Sequence, residues 1–359
     1  MKAKLLYLLL FTATISFAQS FPPGPDPCSD FYKPIADARS TDARSEAMGL
    51  TNVSSWDNIN TSFYNPAGLS TIEGIQVSGT YANAYYNFDS ASFTYLGVAG
   101  KINRYLNFKL SRFTFDANEE VSLFGTDYDT KFTFTTFGFA AEPIKNWHIG
   151  TNLKLLETQV VKGDVDRSFI ADVGILGHIE LGDERHVLKP GASLSNFNAA
   201  DPAFDVDSKY PIFARIGVSY EYTSSNWMVF DTLPAIAVIA QVDYEDDYTT
   251  YYRRSFKSGL ELGLAKILYL RAGYYYQTVN EHLCTPSGDI YNPNAFVSAF
   301  TYGIGVEAPL HEITKLPIRL KINYARMMEP ELINQSIEAT NIYASDIFQS
   351  LTVRLDWKF

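Results

Sequence analysis

From residue 74 onward the chain alternates apolar and polar positions with a period of two. In 211–222 the even positions are Ile212, Ala214, Ile216, Val218, Tyr220 and Tyr222, and the odd ones include Arg215, Gly217, Ser219 and Glu221. Successive side chains of a strand point to opposite faces, so this segment has one apolar face and one polar, charged face. Ile318, Leu320, Ile322 and Tyr324 oppose Arg319, Lys321 and Asn323 in the same way. Leu268, Leu270, Ala272, Tyr274 and Tyr276 oppose Arg271, Gly273 and Tyr275, and Phe300, Tyr302, Ile304 and Val306 oppose Thr301, Gly303, Gly305 and Glu307. The pattern predicts fourteen strands, at 74–86, 90–101, 104–116, 130–142, 147–160, 168–181, 187–196, 211–223, 234–245, 251–264, 266–277, 297–309, 317–328 and 346–359.

These segments reach the ~9–11 residues that a tilted strand needs to cross a bilayer, about twice the usual strand of a soluble sandwich or propeller. The connections sort by side. After odd-numbered strands they are mostly long, at 117–129, 161–167, 197–210, 278–296 and 329–345. After even-numbered strands they are mostly short, at 102–103, 143–146, 182–186 and 310–316, with 224–233 the exception. Short turns on one side and long loops on the other mark an all-β, antiparallel transmembrane β-barrel of the outer-membrane kind. It must close on itself, because an open strand edge cannot be satisfied in lipid.

Composition supports this. Charged residues are 19% of the chain and aromatics 15%, with 24 Tyr and 25 Phe, while mean hydropathy is −0.09. Disordered chains are poor in aromatics and rich in charge. A helical membrane protein would need apolar runs of about 20 residues. The aromatics gather near strand ends, as in Tyr274-Tyr275-Tyr276 and Trp357-Phe359, and are expected to form interfacial girdles. Residues 1–18 read as a signal peptide: Lys2 and Lys4, then an apolar run from Leu5 to Phe17, then a cut after Ala18. Losing those two lysines takes the net charge from −11 to −13, which disfavours nucleic acid as a partner. Cys28 and Cys284 are the two cysteines; an exported chain could bridge them or leave two thiols.

Residues 19–73 are too polar and irregular for barrel strands and are expected to form a periplasmic or lumen plug, ahead of a barrel at 74–359. Asp42 to Met48 predicts a short helix ended by Gly49. The Ala43-Arg44-Ser45 … Ala47-Met48-Gly49 run and the Asn65-Pro66-Ala67-Gly68-Leu69 box resemble the N-terminal region of the FadL-like outer-membrane proteins, most closely the PorV/PorQ branch associated with type IX secretion. The resemblance covers roughly residues 40–75 by motif and the rest by architecture; the lead at 19–39 has no match. It implies fourteen strands and a non-enzymatic barrel. Read physically, Asn65-Pro66 starts a turn and Gly68 allows a tight backbone before the first strand. The terminal Phe359, with Leu355 and Trp357 at alternate positions before it, resembles the C-terminal signal read by barrel-insertion machinery.

If the apolar faces meet lipid, the lumen receives Lys109, Lys154, Arg215, Lys257, Arg271, Arg319, Lys321 and Arg354, and also Asp172, Glu221, Asp243, Glu261, Glu307 and Asp356. Such charges must be paired or wet, which disfavours a wholly hydrophobic tunnel. The five histidines, His148, His178, His186, His282 and His311, lack metal-ligand spacing. There is no phosphate loop or Gly-x-Ser-x-Gly elbow, and the acidic run Tyr244 to Tyr248 lacks calcium-loop spacing. No cofactor or catalytic residue is therefore expected. The resemblance implies a PorV-like component that binds type IX secretion components and cargo; the alternative is a FadL-type channel for hydrophobic small molecules.

Overall fold

The computed structural model describes residues 40–83, 92–103, 105–123, 126–198, 212–224, 228–229, 233–247, 254–285, 288–310, 317–328, 331–333 and 348–357. Fourteen antiparallel strands close into a barrel. They are β1 (Ile75–Asn83), β2 (Ser92–Lys101), β3 (Leu106–Leu123), β4 (Thr126–Ile144), β5 (Trp147–Val161), β6 (Val165–Gly177) and β7 (Asp183–Asn198). They continue as β8 (Phe213–Thr223), β9 (Ile236–Asp247), β10 (Arg254–Leu264), β11 (Leu268–Thr285), β12 (Gly288–Pro309), β13 (Ile318–Met327) and β14 (Phe348–Trp357). Each pairs with its sequence neighbour, and β1 closes on β14 with Val77 opposite Leu355. Both ends of the barrel segment therefore lie at one rim.

The alternation sorts the faces as period two requires. Leu96, Phe137, Leu153, Phe169, Leu260, Phe300, Leu351 and Trp357 are exposed on the outside, while Lys109, Lys154, Asp172, Arg215, Asp243, Glu261 and Asp356 are buried inside. Exposed large apolar side chains over buried charges invert a water-soluble protein. A continuous apolar exterior of this kind fits lipid.

Two sequence expectations fail. The segments 117–129 and 278–296 are not long loops: β3 and β4 run 18 and 19 residues and β11 and β12 run 18 and 22. Their hairpins continue the ladder past the length a bilayer needs, because backbone pairing persists where lipid no longer selects apolar side chains. The aromatic excess is also not confined to girdles. Tyr81, Tyr105 and Trp357 are exposed on the outside, but Phe93, Tyr95, Phe113, Phe115, Phe132, Phe134 and Tyr275 point inward and are buried. The signal peptide at 1–18, Cys28 and Phe359 lie outside the described residues, and so does the Cys28–Cys284 pairing.

Residues 40–73 lie inside the barrel. Helix α1 (Ala43–Ala47) is capped by Asp42, whose side chain accepts from the Arg44 amide, 3.2 Å. It stops where Gly49 (φ 68°) and Leu50 (φ 66°) turn left-handed, and the Leu50 amide closes back on the Ser45 carbonyl, 2.8 Å. A 3-10 turn, Pro66–Thr71, begins where Asn65 caps the Ala67 amide and Pro66 supplies the first position.

Candidate functional site

The interior segment is fastened to strands all round the wall. The Ala43 amide donates to Thr352 Oγ1 on β14 and the Gly49 amide to Thr301 Oγ1 on β12, both at 2.9 Å. Asp243 on β9 accepts from the amides of Asn52 and Val53, at 2.5 and 2.9 Å. Asn65 Nδ2 reaches the carbonyls of Val53 and, on β6, Ile175. Asn107 on β3 donates to the carbonyls of Leu69 and Ile72. These bonds satisfy backbone groups that neither helix nor sheet uses, which buried backbone requires.

Close approach depends on inward-facing glycines. A Cβ on Gly259 would stand 2.5 Å from the Met48 Cβ, one on Gly303 2.5 Å from the Ala47 Cβ, and one on Gly191 2.6 Å from the Val53 carbonyl oxygen. Gly150 faces Pro66 and Ala67, Gly174 faces Asn65, and Gly273 faces Gly49 as tightly. Gly68 sits near the Ser55 carbonyl oxygen, 3.1 Å from where its own Cβ would be. The sequence carried this signal, as glycines at polar-parity positions on successive strands, but not its meaning.

Every described charge assigned to the lumen has a definite place. Glu261 binds Arg44 through both carboxylate oxygens, at 2.8 and 3.1 Å, and Arg271 Nε at 2.5 Å. Burial works against the charge of Arg44, but Glu261 outweighs it and raises the Arg44 pKa above the ordinary arginine value. Arg215 pairs with Glu245, which also takes Lys257 at 3.1 Å. Glu221 pairs with Lys189. Glu307 takes Lys321 at 3.1 Å and Arg319 at 3.4 Å, and Arg354 lies 2.9 Å from Asp356. Lys154 lies 2.9 Å from Asp172 and 4.0 Å above the Phe63 ring of the interior segment. The Lys109 ammonium has no hydrogen-bond partner among the described residues.

The interior has two characters. Toward the rim where β1 begins and β14 ends lies a polar cavity of about 510 Å³, lined by residues 54–58 and by wall charges that include Glu261, Arg271, Glu307, Lys321 and Arg354. On the other side of the segment lies an aromatic cluster. Phe63 meets Phe113 and Phe134 edge-on at 5.4 and 5.7 Å, and Phe93 meets Phe115 at 5.0 Å. Sequence reasoning missed this cluster, because here the aromatic positions alternate with Thr94, Arg112, Thr114, Lys131 and Thr135, and the rule that apolar sides meet lipid turns these ends of β2, β3 and β4 the wrong way. Leu355 and Trp357 are exposed on the outer face of β14.

No family model and no curated relative matches the chain. Solved structures do. The CymD monoaromatic hydrocarbon channel superposes with a TM-score of 0.53 at 10% identity, over 89% of this chain and 98% of that one. The fold is that of the FadL-type channels. The Pseudomonas putida toluene transporter TodX gives 0.51 at 11% identity, over 88% and 97%. A Pseudomonas aeruginosa FadL homologue gives 0.51 at 10%, over 90% and 99%. Identities this low carry the FadL-type architecture and nothing finer.

Proposed function

We propose that this protein is an outer-membrane channel for hydrophobic small molecules, monoaromatics among them, with residues 40–73 as its lumen plug. The observation that carries the reading is the buried aromatic cluster inside the barrel, where Phe93, Phe113, Phe115, Phe132 and Phe134 line up above Phe63. Aromatic side chains gathered in the lumen match an apolar solute in chemistry. The cluster has no use as lipid-facing surface, since it points away from lipid. Proteins of the same fold are named a hydrocarbon channel and a toluene transporter, which supports the same solute class. The test is uptake of labelled toluene and of a long-chain fatty acid by cells expressing the protein, in a host stripped of its own hydrophobic channels. Uptake no faster than with an empty vector removes the reading.

The PorV-like role in type IX secretion is the second reading, and rests on the N-terminal motif and the two hairpins that outrun a bilayer. The motif has a sufficient explanation in packing: Ala43, Met48, Gly49, Asn65 and Ala67 are all pressed against the wall. It therefore favours the channel and the secretion role equally. Affinity purification from native membranes separates them, since only the secretion role requires secretion components or cargo to co-purify.

A further inference from the structure

The apolar exterior ends in a cationic patch on β3 to β6. The register sets the outward side chains of these strands, and of β2, in rows. One row, Val98, Leu110, Phe137 and Leu153, is apolar throughout. In the next, Leu96, Arg112, Thr135, Leu155 and Phe169, an arginine enters among apolar neighbours. The row beyond holds Glu157 and Arg167, and the one after it Asp116 and Lys131. These rows climb away from the rim where β1 begins and β14 ends. That rim also carries short turns, at 145–146 and 265–267, which marks it as the periplasmic one. The patch therefore lies toward the outer leaflet.

Among the described outward positions of these rows stand three cations, Arg112, Lys131 and Arg167, and two acids, Asp116 and Glu157. Lys131 and Asp116 pair at 2.5 Å. Glu157 serves both arginines. Arg167 Nε donates to its Oε1 at 3.1 Å, while Arg112 Nη2 stands 3.7 Å from its Oε2, too far for a hydrogen bond. The Arg112 and Arg167 side chains are 60% and 66% exposed and that of Glu157 is 23% exposed. The carboxylate is thus recessed and the two guanidinium groups project past it. Ion pairs this exposed contribute little to stability, so stability gives no reason for an arginine in the last apolar row. A guanidinium at that depth is tolerated where it reaches the headgroup layer.

We propose that this face binds the phosphorylated headgroup of an outer-leaflet glycolipid, with Arg112 and Arg167 donating to its phosphate oxygens. A guanidinium presents a planar fork that matches phosphate, where an ammonium is only a point charge. Leu96, Leu110, Phe137, Leu153 and Phe169 are all exposed beside and below the arginines, and they take the acyl chains. A soluble anion would make no use of that apolar surface, so the occupant is a lipid. The site needs only an outer-membrane barrel and does not depend on what the lumen passes.

Native mass spectrometry of the full protein released from detergent tests the site. The probes are diphosphoryl lipid A, the same lipid with both phosphates removed, and inorganic phosphate. Wild type is expected to hold diphosphoryl lipid A at least tenfold more tightly than the dephosphorylated form. The double variant Arg112→Gln/Arg167→Gln should lose that preference. Arg254→Gln removes an equally exposed outer arginine on β10 and should keep it. Heat-shifted gel mobility checks that each variant folds. Arg112→Gln alone leaves the Arg167–Glu157 pair in place; it should cut the preference at least threefold, and it carries the test if the double variant does not fold. Equal retention of the two lipids by wild type, an undiminished preference in a folded variant, or binding of inorganic phosphate with no lipid retained overturns the site.

Discussion

Met48 of the interior segment and Gly259 of β10 meet so closely that a Cβ on Gly259 would stand 2.5 Å from the Met48 Cβ. Gly259→Val therefore cannot be absorbed without moving the segment off the wall. Overpacking of this kind costs about 1–3 kcal/mol. The barrel ladder itself is untouched, so heat-shifted gel mobility should persist while limited proteolysis cuts within 40–73 sooner than in wild type. Unchanged proteolysis would show that the wall yields instead.

Glu261 joins Arg44 of the segment to Arg271 of the wall. Glu261→Gln leaves two buried guanidinium groups without their carboxylate, and a loss of about 3–5 kcal/mol is expected for breaking such a buried pair. Urea unfolding in detergent should show it as a lower midpoint. The double variant Arg44→Met/Glu261→Gln should lose less than the sum of the singles, since one of the stranded charges has gone with its partner.

Asn65 caps the Pro66–Thr71 turn and also donates to Val53 and Ile175. Asn65→Ala removes the cap and leaves buried carbonyls open, at a cost of about 0.5–2 kcal/mol for the cap alone. Asn65→Asp keeps the accepting oxygen that caps Ala67 but loses the two amide donations, so thermal midpoints should fall in the order wild type, Asp, Ala if capping dominates. An Asp variant no better than Ala would assign the role to the donations.

Phe113 and Phe134 face Phe63 across the interior. Phe113→Ala opens a cavity in the aromatic cluster and costs about 3–5 kcal/mol if the cavity stays empty. If the cluster handles apolar solutes, Phe113→Ala should also change toluene uptake selectively, with fatty-acid uptake altered less. Equal changes for both solutes would point to general loosening.

Leu153 and Lys154 are neighbours in β5 on opposite faces, the first exposed and the second buried. Leu153→Arg puts a cation on the apolar exterior, where about 2–4 kcal/mol is expected near the bilayer midplane. Lys154→Met instead strands Asp172 inside. Folding into lipid vesicles should therefore be impaired by both, but only Leu153→Arg should recover when the same chain is folded in a detergent that tolerates surface charge.

The sequence by itself determined the strand number, the facing of the charged positions and the polar part of the lumen lining. These are local consequences of a two-residue period bounded on one side by lipid, so they survive without any knowledge of contacts. It also marked the turn chemistry of Asp42, Gly49 and Asn65-Pro66, which acts within a few residues. Only the tertiary structure decided the rest. Arg44 and Glu261 are 217 positions apart, and nothing in either neighbourhood announces the other. The inward glycines read as gaps in an alternation until the segment that fills them is in place. Phe113 and Phe134 could have faced lipid as readily by hydrophobicity; Phe113 shares the inward parity of Lys109 on β3, and Phe134 shares that of Thr136, which the assembled register sets opposite Lys154 of β5.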